Sequence, residues 1–408
     1  MKALSLYTGA GGLDLGLEAA GFEHALCVES DPDARATLEL NRPDWPLADP
    51  GDALQLAPED ALAQAGLAQG ELTLLAGGPP CQPFSKSGYW ATGDARRLED
   101  PRAKTLARFF DFVDAALPSV LLLENVRGLA FNGKSEGLDL LQRRLDQTNA
   151  EQGTAYAATV IALNCADFGV PQNRERVFVI AASDGAVLVP PAPTHHSVDA
   201  LLPGQDRQRT TWDAIGDLDQ DEWPTELNPT GKWAALLPSI PEGENYQWHT
   251  ARSGGEPLFG WRTRYWSFLL KLAKDRPSWT IQASPGPATG PFHWRSRRLS
   301  PRELCRLQTF PDDYEITGDH RRQHRQIGNA VPPAIGALLG AEIRNQLLNH
   351  NVEVGPVFVP PARGDCPPPE PVVPVAPEYH QRRGEHLEHP GTGLGPGATR
   401  RAGAEAGG

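Results

Sequence analysis

The sequence predicts an α/β fold: parallel strands with helices on both faces, followed by a smaller, irregular second domain. Three observations carry this expectation. Short apolar runs recur at 3–7, 25–29, 72–76, 120–124 and 177–182, none showing polar alternation, as strands buried on both faces do. Stretches of helical texture, such as 105–116 and 137–147, lie between them, which gives the strand–helix repeat of a doubly wound sheet. From about 184 to 320 the texture changes to Pro, Gly, Trp and charged residues, and eight tryptophans fall there.

A length of 408 residues suits two domains, or one large domain with an insertion and a tail. The hydrophobic fraction of 40% is enough for a core. No run of about 18 apolar residues appears, so no membrane span is expected. The opening MKALSLYTGAGG has glycines where a signal peptide needs a long apolar stretch. It reads as the first strand, and with no targeting segment the protein is expected to be cytosolic.

The five cysteines are Cys27, Cys81, Cys165, Cys305 and Cys366. Their number is odd and no C-x-x-C pair exists, so neither a zinc site nor a disulfide framework is expected. Reduced cysteines leave room for one nucleophile. The net charge of −13 argues by itself against a nucleic-acid partner. The acids concentrate at 199–226, however, while Arg295, Arg297, Arg298, Arg302, Arg306, Arg321, Arg322 and Arg325 cluster near one another. A phosphate backbone responds to such local charge. A salt-bridged, solvated face explains it equally well.

The strand ends carry the chemistry. In an open parallel sheet, ligands bind beyond the carboxyl ends of the strands. The first run ends in Tyr7-Thr8-Gly9-Ala10-Gly11-Gly12, where glycine allows a tight turn and close backbone approach. The second ends in Glu29, an acid about twenty residues on and placed to accept from ribose hydroxyls. The spacing is not G-x-G-x-x-G, which favours a nucleoside cofactor without a pyrophosphate. Asp52 is a candidate for the adenine amine, and equally a turn or helix-cap residue. The third run ends in Gly77-Gly78-Pro79-Pro80-Cys81. A Cys held between prolines at a strand end is rigidly placed, as a nucleophile needs to be. The fourth ends in Glu124-Asn125, which is directed to the same crevice. Arg174 and Arg176 open the fifth and share one face of it, which suits anion or base-oxygen recognition.

Read together, these motifs resemble the cytosine-5 DNA methyltransferases of bacterial type, from restriction-modification systems or orphan. The resemblance runs in family order. It includes Tyr7–Gly12, Glu29-Ser30-Asp31, Gly51-Asp52 and Pro79-Pro80-Cys81-Gln82-Pro83-Phe84-Ser85. It continues through Asp100-Pro101-Arg102, Glu124-Asn125-Val126 and Gln172-Asn173-Arg174-Glu175-Arg176. It ends with Arg298-Leu299-Ser300-Pro301-Arg302-Glu303 and Gln326-Ile327-Gly328-Asn329-Ala330-Val331. It covers residues 1 to about 345, apart from the middle segment.

The resemblance implies a Rossmann-like S-adenosylmethionine-dependent methyltransferase domain, 1–182 plus 326–348. It implies a smaller, irregular target-recognition domain at 183–325. Residues 349–408 are too poor in large apolar side chains to fold alone and are expected to be a disordered tail. Cys81 would add to carbon 6 of a flipped-out cytosine. Glu124 would hold ring nitrogen 3 and the exocyclic amine, and Arg176 would hold the base oxygen with Arg174 in support. Tyr7, Gly9, Gly11, Gly12, Glu29, Asp52, Pro79 and Asn329 would line the pocket for S-adenosyl-L-methionine. Gln82, Ser85, Arg262, Arg264, Arg295 and Arg297 are candidates for contact with double-stranded DNA; the tryptophans read better as a small core. The loop 86–93 resembles the family's mobile loop. A monomer is expected, with a cognate restriction endonuclease as a possible partner and no metal. Two rival readings are a tRNA methyltransferase of the same fold, whose middle segment is more compact, and a non-catalytic DNA-binding regulator, in which Cys81 or Glu124 would be lost.

Overall fold

In a computed structural model of the chain, residues 1–80, 103–125, 136–260, 266–353 and 357–381 are described. A six-stranded sheet comprises β1 (Lys2–Leu6), β2 (Glu23–Val28), β3 (Leu74–Gly77), β4 (Val120–Asn125), β5 (Thr159–Asn164) and, after the two-residue β6 (Gln172–Asn173), β7 (Glu175–Ala182). Its order is β2-β1-β3-β4-β7-β5. The chain starts in the middle, runs outward through β2, then returns to β3 on the other side of β1. This reversal opens a crevice at the carboxyl ends of β1 and β3.

The β1, β2, β3 and β4 pairings are parallel, but β7 runs antiparallel to both β4 and β5. The expectation of a parallel strand at 177–182 is therefore corrected, and β5 is an additional strand. Only residues 165–174 separate β5 from β7. That connection allows an antiparallel pair but is too short for a parallel crossover. β5 is an edge strand with alternating burial, and Val160 remains exposed, so it lacks the pattern of the central strands.

Helices α1 (Gly12–Ala19), α2 (Pro32–Asn41), α3 (Pro58–Ala65), α4 (Ala103–Ala116) and α5 (Glu136–Gln152) follow the strands. Side chains of α3, α4 and α5, such as Leu62, Phe109 and Leu145, pack with Leu4, Leu6, Leu121 and Leu123 on one face of the sheet. The other face, with Ala3, Leu74, Val120 and Leu122, meets Leu13 and Leu17 of α1 and, from the far end of the chain, Ile335, Leu339 and Ile343. Because both faces are apolar, the strands read as continuous hydrophobic runs.

Further along the chain lie α6 (Thr211–Ile215), α7 (Pro301–Leu307), α8 (His320–Asn329) and α9 (Pro333–Leu347). α9 lies directly on α1. A Cβ at Gly16 would fall 2.3 Å from the Ala337 backbone nitrogen, and one at Gly336 would fall 2.5 Å from the Leu13 carbonyl. Only glycine allows the two backbones so close. α7 begins with a reciprocal cap between Ser300 and Glu303. Its Leu304 and Leu307, with Leu299, Phe310, Tyr314 and Ile316, pack against Ala10, Leu15, Leu38 and Trp45 of the sheet lobe. The same cluster holds Ala214, Ile215, Leu272, Ile281 and Trp294, so the region 183–325 packs against the sheet lobe from several points along its length.

Between 184 and 297 the chain has short helical turns, two-residue strands and an aromatic core. Leu236, Leu237, Tyr246, Phe259 and Phe292 bury together, with Trp233, Trp248 and Phe268 against them. Trp294 is fully buried beside Trp212. The tryptophans thus mostly build a core; Trp266 is partly exposed against Trp279. The expectation of a disordered tail does not describe 357–381. Arg363 pairs with Asp217 at 2.6 Å, Glu370 pairs with buried Lys274 at 2.8 Å, and Tyr379 enters the aromatic core stacked on Trp233. The segment carries too little apolar surface to fold alone and is ordered against the aromatic core instead. Residues 382–408 lie outside the described residues. No described helix is long and apolar enough to cross a membrane.

Candidate active site

A cavity of about 470 Å³ opens at the strand reversal. Its walls come from the end of β1 and the loop after it (Tyr7 to Ala10), the start of α1 (Gly12 to Asp14), Glu29 to Asp31 after β2, and Gly77 to Pro80 at the end of β3. Glu124, Asn125 and Arg176 line it from β4 and β7, and Arg325, Gln326 and Gly328 to Val331 from α8 and the turn after it. Segments hundreds of residues apart in sequence therefore meet at one site.

The first turn needs its unusual backbone. Tyr7, Gly9 and Gly11 have φ of 59°, 58° and 77°, and a Cβ on Gly9 would meet nothing closer than 4.0 Å, so its backbone faces open space. Tyr7 points its hydroxyl at the Thr105 carbonyl, 3.0 Å away. Gly11 is the N-cap of α1, where a side chain would strike Leu38 and the Tyr314 hydroxyl. It shapes the turn without lining the cavity.

Glu29 is a fixed acceptor. One carboxylate oxygen accepts from the Gly9 amide and the other from the Asp31 amide, both at 2.7 Å. Burial raises its pKa; the amides oppose the shift, and the neighbouring Asp31 adds to it. Asp31 caps α2 and pairs with Arg325 at 2.6 Å at the cavity wall. Asp52 stands elsewhere. It accepts from the Leu54 amide and the Gln55 side chain and is absent from the cavity lining. Its local bonds are those of a turn-forming residue, while its charge reaches Tyr7 of the cavity wall, adding to the burial that pushes that hydroxyl up.

On the opposite wall, Glu124 Oε1 is 2.9 Å from Arg176 Nε, each side chain only 13% exposed. A Cβ at Gly78 would sit 3.0 Å from Glu124 Oε2, so the glycine leaves room for the carboxylate. Arg174 does not join this pair. It is fully buried and donates to the carbonyls of Gly328, Ala330 and Ile281. Two residues apart on a strand would share a face, but Arg174 precedes β7 in the bend after β6. It holds the turn that carries Asn329 rather than facing the cavity.

Cys81, Gln82, Ser85, Arg262, Arg264 and the loop 86–93 lie outside the described residues. Pro79 and Pro80, immediately before Cys81, line the cavity. Of the described cysteines, Cys27, Cys165 and Cys305 are buried, and desolvation pushes their thiols up, to about 11 for Cys165 and about 12 for Cys305. Exposed Cys366 is also raised, by partial burial. None has the lowered pKa of an activated thiol.

Two arginines expected at DNA are engaged within the protein. Arg297 is 3% exposed and grips both Glu303 oxygens, at 2.8 and 2.6 Å. Arg295 pairs with Asp219 and Asp221. Asp219 and Asp221 of the acid-rich stretch thus neutralise Arg295, and Glu303 neutralises Arg297, so neither stands as a free DNA contact. Sequence reasoning missed Asp14, Asp31 and Arg325 at the cavity. Arg325 had a signal: it stands one helical turn before Asn329.

The model of the C-5 cytosine-specific DNA methylase family matches residues 1–345. The Type II methyltransferase M.SacI of Streptomyces achromogenes is 36% identical over 373 residues, covering 85% of this chain and 93% of its own length. M.PspPI of a Psychrobacter strain, also a Type II methyltransferase, is 32% identical, covering 84% and 79%. Among solved structures, a prophage-encoded Escherichia coli protein described as a DNA modification methyltransferase superposes with a TM-score of 0.59. It is 22% identical and covers 86% of this chain and all of its own, a likeness of fold.

Proposed function

The chain belongs to the C-5 cytosine-specific DNA methylases and is a DNA cytosine-5-methyltransferase, and we propose that it methylates a flipped-out cytosine within one short duplex sequence through a covalent adduct on Cys81. The observation that carries this reading is the convergence of Glu124, Arg176, Glu29 and the Gly9 turn on one cavity, with Pro79 and Pro80 delivering the chain to Cys81.

The donor set suits S-adenosyl-L-methionine. Glu29, with no cationic partner among the described residues, leaves one end of the cavity acidic, which disfavours a phosphate but accepts from ribose hydroxyls and tolerates a sulfonium and an ammonium. The two arginines lining the cavity are each paired with an acid, Arg176 with Glu124 and Arg325 with Asp31. A volume of about 470 Å³ is in the range of small-molecule sites. Glu29 would hold the ribose, the Gly9 backbone would lie against the cofactor, and Asn329 would close the far side. When bound, the cofactor supplies an electrophilic methyl group.

Cytosine is a poor nucleophile at carbon 5 while its 5,6 double bond is intact. The Cys81 thiolate adds to carbon 6, forming an S–C bond and leaving electron density on carbon 5. A proton shared between the Glu124 carboxyl and ring nitrogen 3 passes to the ring as that charge develops, and returns when the S–C bond breaks; the exocyclic amine donates to the same carboxyl group. Arg176 holds the base oxygen, and its ion pair fixes the Glu124 carboxylate. Carbon 5 takes the methyl group, loses its proton to a base, and the S–C bond breaks to free Cys81. The base must leave the helix stack to reach these groups. Arg174 supports the site by holding the Gly328–Ala330 turn. The chain is further proposed to pair with a restriction endonuclease of the same specificity, a reading supported by the Type II names of its relatives, and to act as a monomer in the cytoplasm.

Mapping 5-methylcytosine at base resolution, in DNA incubated with the protein and S-adenosylmethionine, tests the proposal. Methylation confined to one short motif is expected. No 5-methylcytosine from a folded protein that binds the cofactor would refute it.

A further inference from the structure

Helix α8 borders two cavities. Residues 325–329 face the candidate active site, while His320, Arg321 and His324, from its first turns, line a second cavity of about 340 Å³. The opposite wall is the loop 284–291 and Phe292, which present proline rings and one aromatic ring. This loop continues directly from Ile281, whose carbonyl Arg174 holds, and from Ala283, whose backbone lies against Gly328. The two cavities therefore share a helix and an adjoining strand of chain, about 7 Å apart along the helix axis.

The second cavity has a distinct chemistry. Its walls at Pro285, Pro287 and Phe292 are apolar. Arg298 and Arg321 stand at it; Arg298 is half-buried and donates to the Thr230 hydroxyl, and Arg321 is exposed. His324 Nε2 is buried without a hydrogen-bond partner. Burial lowers the imidazole to about 4, against a hydrogen bond with the Gln282 backbone. The ring is thus neutral at neutral pH. With its other nitrogen donating to Gln282, Nε2 is a bare acceptor. His320 is engaged with the Leu299 carbonyl at 2.9 Å.

An acceptor beside apolar walls, bordered by guanidinium groups, matches the groove edge of a base pair: an exocyclic amine to the acceptor, apolar base and sugar atoms to the prolines, and phosphates to the arginines. We propose that this cavity is a second DNA subsite, in which His324 accepts from a nucleobase amine of the duplex whose backbone meets Arg298 and Arg321. This rests on the DNA reading given above. Arg298 and Arg321 belong to the arginine cluster of 295–325, and His324 adds to it an acceptor that the sequence did not single out.

The test is a binding titration by fluorescence anisotropy, with full-length protein over a range of salt. It uses a duplex carrying the methylated site found by mapping and a scrambled duplex. Arg321→Gln is expected to reduce the slope of log affinity against log salt by about one. His324→Leu is expected to reduce the preference for the mapped site over the scrambled one by roughly tenfold. Both should keep wild-type affinity for S-adenosylmethionine, which reports that the fold and the first cavity are intact. Unchanged slope and unchanged preference, with wild-type protein still binding the mapped duplex, would overturn the subsite alone. Failure of the wild type to bind any duplex would overturn the underlying DNA reading as well. Arg321 is exposed, so its variant remains informative even if His324→Leu fails to fold.

Discussion

The sheet lobe and the aromatic region hold their residues in place by different means. In the sheet lobe, functional side chains sit at strand ends whose positions follow from backbone pairing and from helices on both faces. Between 184 and 297 there is little regular pairing, and position is set by aromatic packing, by ion pairs such as Arg297–Glu303 and Arg295–Asp219, and by the strap 357–381. The first arrangement gives fixed geometry to a reaction common to a family. The second tolerates changes in sequence wherever the side chains still pack.

The largest effect tests whether the chemistry belongs to the sheet lobe alone. Cys81→Ser is expected to lower turnover by more than roughly a thousandfold while duplex binding, measured by anisotropy, persists. Retained turnover would remove the proposed nucleophile.

Next comes the joint between the regions. Arg174→Met leaves three buried carbonyls without this donor, and about 2–3 kcal/mol of stability should be lost, read from urea denaturation. A change under about 1 kcal/mol would mean that the two regions are held together elsewhere.

The aromatic region alone is probed by Tyr379→Ala. This removes a 1% exposed ring and its hydrogen bond to the Lys232 carbonyl. A loss of about 3–4 kcal/mol is expected. Duplex affinity should weaken while cofactor affinity, measured by calorimetry, stays near wild type. Equal loss of both would show that the regions unfold as one.

The smallest effect concerns Glu29. Its pKa is raised, so it takes up a proton at a higher pH than an ordinary glutamate. The ionised form is the better ribose acceptor, so cofactor affinity should fall as pH drops through that raised range. Glu29→Gln should bind several-fold more weakly at neutral pH and lose this pH dependence. An unchanged pH profile would relocate the ribose contact.

The strand-end chemistry was legible in the sequence because apolar runs announce buried strands and the reactive residues directly follow them. Glu124 after four apolar residues and Glu29 after the second run are examples, and both line the cavity. Arg174 was not legible: its partners lie more than a hundred residues away, and two arginines two apart look equivalent until the bend between them is seen. Asp52 reads in the sequence both as a ligand and as a turn residue; its turn bonds account for the second, and its charge still reaches Tyr7 at the cavity. Arg297 had a local warning in the Ser300–Glu303 capping pattern, which places an acid six residues away. The strand β5 lacked any strong signal because an edge strand buries only part of its side chains.

The direct contact between α1 and α9 has a consequence for the protein's synthesis. The sheet face beneath α9 is completed by residues up to 347, although the strands it covers have all been made by residue 182. At usual elongation rates, roughly ten to thirty seconds separate those points. During that interval the emerging chain presents Val120, Leu122 and Phe178 on an incompletely covered face. Nascent protein is therefore expected to be a client of ribosome-associated chaperones until its last third has emerged.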